Sequence, residues 1–239
     1  PGVLDPGVFR SDPVLRADSS GRIFYYSLTN ATGNYTCQIF RSTDGGQTFG
    51  PLVQAFGGDK QWFAIDRTGG VGDGNFYSAW DYATAYTLNG FTRSTDHGNT
   101  YSSPIQVLGQ PNWGTMAVGP NGEVYIVGNA NQNLNQCIIT KTVNANLPGV
   151  PTWTFSRTVN LGGSQVYFTQ QPPNPEGLLG QFWVRVDTSN GPFRGYVYVL
   201  CSVHQTGSAD PLDVMLSRST DGGNTWSAPI KVNDEAAGT

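Results

Sequence analysis

Ser217-Arg218-Ser219-Thr220-Asp221-Gly222-Gly223-Asn224-Thr225-Trp226 decides the fold, because the chain carries nearly the same run twice more. Arg41-Ser42-Thr43-Asp44-Gly45-Gly46-Gln47-Thr48-Phe49 and Arg93-Ser94-Thr95-Asp96-His97-Gly98-Asn99-Thr100-Tyr101 follow the same pattern. It reads Arg-Ser-Thr-Asp, any residue, Gly, Asn or Gln, Thr, aromatic. Three such matches mark an internal repeat. Each copy sits between β-rich runs, which makes it the turn of a hairpin. An Asp heading a turn accepts from backbone N–H groups that the turn leaves unpaired. The Gly two residues on (Gly46, Gly98, Gly223) suits a positive φ. The aromatic (Phe49, Tyr101, Trp226) opens the next strand and packs beneath.

Composition agrees. Only 13% of residues are charged, 12% are aromatic, and 31 Gly and 15 Pro punctuate the chain, as suits short strands joined by many turns. A formal charge of −4 with no basic run argues against a nucleic-acid partner. No apolar run approaches the ~20 residues that a membrane-spanning helix needs. Cys37, Cys137 and Cys201 are odd in number and widely spaced, which predicts buried free thiols rather than a zinc site or disulfide framework. No metal or cofactor is expected. Asp210-Pro211-Leu212-Asp213 offers oxygens to calcium but lacks the dense spacing of a calcium loop.

Taken in order, the chain divides into four units of four strands each, over 11–57, 58–110, 111–162 and 163–233. The first strands align (Val14–Asp18, Phe63–Asp66, Met116–Pro120), each followed by a Gly turn and an aromatic-rich second strand. In the third unit the turn at 144–152 has lost the Asp pattern and carries Pro148 and Pro151, while Trp153 keeps the aromatic. That loop and Gln170–Gly177 are expected to bulge, since Pro forbids regular pairing. No segment of helical period appears, so the fold is all-β with antiparallel four-stranded units.

The repeated run resembles the Asp-box, or bacterial neuraminidase repeat, Ser-x-Asp-x-Gly-x-Thr-aromatic. The residues carrying the resemblance are Ser42, Asp44, Gly46, Thr48 and Phe49, then Ser94, Asp96, Gly98, Thr100 and Tyr101, then Ser219, Asp221, Gly223, Thr225 and Trp226. In that family the box joins the third and fourth strands of a β-propeller blade, on the rim and away from the ligand site. The resemblance therefore implies a propeller of the sialidase-like superfamily and gives the boxes a structural role. Such propellers usually close with six or more blades, and Asn233–Thr239 reads as a connector onward. Further blades or domains, from this chain or another, are expected.

A propeller binds ligands at one end of its channel, where first strands begin. Those positions are Phe9–Pro13, Gly58–Trp62, Pro111–Gly114 and Pro175–Gly177. Asp59, Lys60, Trp62, Asn112 and Trp113 are the candidate ligand-binding residues, since ring faces stack on sugar C–H surfaces while polar groups fix hydroxyls. A plainer reading stands beside this one, with Trp62 and Trp113 as core and Asp59 as a turn cap. Sialidases add three arginines for the substrate carboxylate, a Tyr–Glu nucleophile pair and an Asp acid/base. Phe9-Arg10-Ser11-Asp12-Pro13 resembles their first arginine motif but puts Pro three residues after Arg rather than two. The catalytic candidates are Arg10, Asp12, Asp59 and Glu176, an incomplete set. The expectation is a secreted or cell-surface recognition or scaffold module for a carbohydrate or protein ligand, the alternative being a sialidase-like glycoside hydrolase.

Overall fold

A computed structural model describes residues 4–30, 33–81, 86–130, 133–165, 180–205, 207–208, 210 and 212–234. Among these there is no helix, and every strand pairing is antiparallel. The first sheet runs β1 (Ser11–Ala17), β2 (Ile23–Thr29), β3 (Thr36–Ser42), β4 (Leu52–Gln54) in spatial order. The second is β5 (Trp62–Ile65), β6 (Phe76–Ala79), β7 (Phe91–Ser94). In the third, β8 (Pro111–Asn112) and β9 (Met116–Val118) both pair with β10 (Val124–Ala130), followed by β11 (Asn133–Thr142) and β12 (Phe155–Val159). In the fourth, β13 (Gly163–Ser164) and β14 (Trp183–Val186) pair with β15 (Val197–Gln205), then come β16 (Asp213–Ser219) and β17 (Ile230–Lys231).

Two details differ from the sequence reading. The fourth strand expected of the second unit is reduced to one bridge, Phe91 to Ile105, because Pro104 has no N–H to offer a ladder. The first strand of the third sheet is split into β8 and β9. The expected bulge at 144–152 is present as an irregular loop, while Gln170–Gly177 lies outside the described residues.

Strands β6 and β10 are buried on both faces, because the core is divided into three slabs, one between each pair of successive sheets, while on the outer side of β3 the Arg10 side chain lies over Gln38 and Phe40. Tyr26, Cys37 and Ile39 meet Phe63 and Phe76 in the first slab. Tyr77 and Phe91 meet Met116 and Ile126 in the second. Tyr125, Val127 and Ile139 meet Val184, Val197 and Val199 in the third. Edge-on ring pairs lock the first slab, Phe24 to Phe76 at 4.6 Å and Tyr26 to Phe63 at 5.2 Å. The three cysteines are free and buried. The first strands β1, β5, β9 and β14 touch in succession and line one cavity, so they surround a common axis.

No described sheet covers the two outermost faces. Leu15, Tyr25, Phe40 and Leu52 share one through register, with Leu15 55% exposed. Trp183, Leu200, Leu216 and Ile230 share the other, with Ile230 59% exposed.

The three repeated turns follow β3, β7 and β16 and are nearly superimposable in their bonding. In the last, Ser219 Oγ donates to Asp221 Oδ1 (2.7 Å) and accepts from Gly223 N (2.8 Å). Thr225 then donates its N–H (2.9 Å) and hydroxyl (2.6 Å) to the two carboxylate oxygens. The first and second copies repeat these bonds. The Thr hydroxyl and N–H hold Asp44 and Asp221 well below the usual carboxylate range. Asp96 is also lowered, although burial pulls it the other way. The third sheet keeps a neutral version. Asn144 Oδ1 accepts from Thr142 Oγ1 (2.9 Å) and Thr152 N (3.0 Å), with the intervening residues looped out. Arg93, from the second turn, clamps that loop by donating to the carbonyls of Ala145, Leu147 and Gly149.

Candidate functional site

In an antiparallel sheet alternate turns lie at opposite ends. The repeated turns and the first-to-second turns therefore occupy one end of the axis. The starts of the first strands and the second-to-third turns occupy the other, which we call the mouth.

The backbone is strained at the mouth at three equivalent positions. Asp18, Asp66 and Gly119 each donate their N–H across to the second strand at the far end of the first. Six residues before them stand Asp12, Lys60 and Trp113, with φ of 49°, 54° and 57°. Such backbone costs about 1–3 kcal/mol per non-glycine residue and gathers at ligand sites. It accompanies a register shift between Ser11 and Val14 in β1 and the break between β8 and β9. Gly114 has to be glycine: a Cβ there would stand 1.7 Å from the carbonyl oxygen of Val127.

Lys60 and Trp113 line a crevice between the second and third sheets together with Trp62, Trp80 and Pro111. It is shallow, about 10 Å³, enough for a single hydroxyl or water. Two donors among its lining residues are buried with no acceptor among the described residues, the indole N–H groups of Trp62 and Trp80, and the side-chain amide of Asn112 in neighbouring β8 is unpaired likewise. Each such group costs about 1–3 kcal/mol while unpaired. Beside the crevice, Lys60 Nζ pairs with Asp59 Oδ1 at 3.3 Å, both about 44% exposed or slightly less. The Asp59 carbonyl accepts from Asp81 N at 2.9 Å. The Asp12 carbonyl accepts from the side chain of Gln61, tying the first sheet to the second. Trp80 and Asp81 were not among the sequence candidates. Their signal was position alone, at the turn after a second strand.

Of the predicted residues, Lys60, Trp62 and Trp113 therefore meet, with Asp59 alongside. Asn112 is buried in β8 opposite Asn129. Asp12 and Asp59 both act on one buried thiol: burial pushes Cys37 up, and both carboxylates add to it. Arg10 lies elsewhere, on the outward face of the first sheet. Its guanidinium donates to Asp5 (3.0 Å), Gln38 (2.7 Å) and Ser27 (3.2 Å) and covers the Phe40 ring at 4.6 Å. Glu176 lies outside the described residues. Among the described residues no three His, Cys, Asp or Glu side chains converge as a metal site requires. Lys231 pairs with both Asp210 (3.7 Å) and Asp213 (2.5 Å).

Below the mouth, aromatic rings bridge the axis. Trp62 and Trp183 meet edge-on at 5.0 Å, Arg16 lies over Trp62 at 5.0 Å, and Arg185 lies over Trp183 at 5.2 Å.

No family model matches this sequence, and no curated protein does. Solved structures resemble it in fold. A NanB sialidase from Streptococcus pneumoniae aligns with a TM-score of 0.60 and 9% identity over 94% of this chain and 52% of its own. The Hadza microbial sialidase Hz136 aligns at 0.55 and 17% over 91% and 46%. A protein of unknown function from Dyadobacter fermentans aligns at 0.57 and 16% over 95% and 70%. The chain thus spans about half the length of the two sialidase structures. At these identities the likeness is one of fold: antiparallel sheets arranged as in propeller glycoside hydrolases.

Proposed function

We propose that the four sheets are blades of a β-propeller, that the repeated turns are Asp-boxes on its rim, and that the mouth recognises a glycan in a secreted or cell-surface setting. One observation carries this reading. Strained backbone at Lys60 and Trp113 lines the same crevice as Trp62 and Trp80, whose buried indole N–H groups have no acceptor among the described residues. Sugar hydroxyl oxygens are the acceptors those donors lack, and the Trp113 ring offers a stacking face. Asp59 and Lys60 supply an acceptor and a donor at the edge. The fold likeness to two sialidases agrees with a carbohydrate ligand. The partly exposed apolar outer faces of the first and fourth sheets, Leu15 and Leu52 on one and Trp183 and Ile230 on the other, support further blades from this or another chain. A glycan array followed by calorimetry tests the reading. Trp113→Ala is expected to weaken the best ligand at least about tenfold, roughly 1.4 kcal/mol. An empty array, or binding indifferent to Trp113→Ala, Lys60→Ala and Asp59→Asn together, overturns it.

A second reading rests on Asp12 and Asp59, two carboxylates at the starts of neighbouring first strands, which the Gln61 side chain ties together by donating to the Asp12 carbonyl. Glycoside hydrolases use such a pair about 5–10 Å apart. Turnover of a fluorogenic glycoside, sialosides included, that is abolished by Asp59→Asn would make the chain a sialidase-like hydrolase rather than a binder.

A further inference from the structure

The end of the axis opposite the mouth holds a cavity of about 310 Å³ bounded by all four first strands. Arg16 from β1, Arg185 from β14 and Arg67 just after β5 line it, with Thr68 and Thr188 beside them. No Asp or Glu among the described residues lines it. Among the described residues none of these arginines takes part in an ion pair. Arg16 and Arg185 each donate once, to the carbonyls of Leu15 (2.7 Å) and Val184 (2.8 Å). Each guanidinium carries five donors, so most remain for a ligand.

Three cations gathered without an ion-pair partner among the described residues, in a protein of net charge −4, is an arrangement that electrostatics alone disfavours. The crowding registers on Arg16, whose pKa is lowered by burial and further by Arg185. The Trp62 and Trp183 rings hold two of the heads in place, so an incoming group would not have to order them. We propose that this cavity is an oxyanion site, built to take the carboxylate, sulfate or phosphate group of a small ligand. Its lining shares no residue with that of the mouth crevice, Trp62 touching it only through the ring beside Arg16, and it does not rest on the glycan reading. It also lies at the end opposite to that at which the sialidase resemblance places the substrate.

The test uses the full chain with sodium sulfate, phosphate, acetate and glucuronate, each against sodium chloride at equal ionic strength. Calorimetry and thermal shift read the result. A saturable rise in Tm with at least one of the four is expected, and their ranking identifies the oxyanion. Arg67 and Arg185 are exposed, so Arg67→Ser and Arg185→Ser preserve the core. Each is expected to weaken binding about tenfold. Arg16→Lys, which keeps charge and stem but loses the fork, should weaken it less. Trp113→Ala at the mouth should leave it unchanged. The proposal falls if all four salts act only as chloride does. It falls equally if the Arg67→Ser/Arg185→Ser double variant binds as the parent does, or if Trp113→Ala abolishes the effect.

Discussion

At the scale of single residues, the repeated turn is a closed hydrogen-bond circuit. Ser94 is 1% exposed and joins the Asp96 carboxylate to the Gly98 N–H. Ser94→Ala leaves that buried N–H without an acceptor and should destabilise the protein by about 1–2 kcal/mol, measured by denaturant melts. The Asp residues add a pH dependence whose sign is fixed. Their folded pKa values are depressed, so the stability they confer is present above the ordinary carboxylate pKa of about 4 and is lost as pH falls below it. Asp221→Asn should flatten the acid limb of Tm against pH, and parallel acid limbs would show that the carboxylates do not titrate with unfolding. The three Asp circuits were legible in the sequence because all their members lie within eight residues. The Thr142–Asn144–Thr152 circuit was not, because a looped-out insertion separates its halves and Asn replaces Asp.

At the scale of elements, bulged first strands present the mouth. Gly114→Ala places a methyl group against the Val127 carbonyl. It should cost about 3 kcal/mol, through displacement of β9 from β10. Gly149→Ala, at φ 90° with nothing within 4 Å, should cost only its backbone strain of about 1–2 kcal/mol. Equal losses in the two variants would mean that close packing at Gly114 is not the constraint. Strand order and the turns of the first sheet could be read from alternating apolar runs and Gly punctuation. The left-handed residues could not, since Asp12, Lys60 and Trp113 belong to three residue types and only the fold aligns them. The same holds for Arg16, Arg67 and Arg185. They come from β1, the turn after β5 and β14, far apart in sequence, and only the shared axis brings them into one cavity.

For the whole molecule, the core in three slabs makes each sheet depend on its immediate neighbours. Ile39→Val in the first slab and Ile139→Val in the third should each cost about 0.5–1.5 kcal/mol. The double variant should equal their sum within about 0.5 kcal/mol, and a larger coupling would mean that the slabs communicate. The two inner sheets share two slabs each, while the outer sheets described here share one. Damage in such a stack travels one layer and stops. Among the four sheets described here, the amides of β6 and β10 should therefore be the last to exchange with solvent.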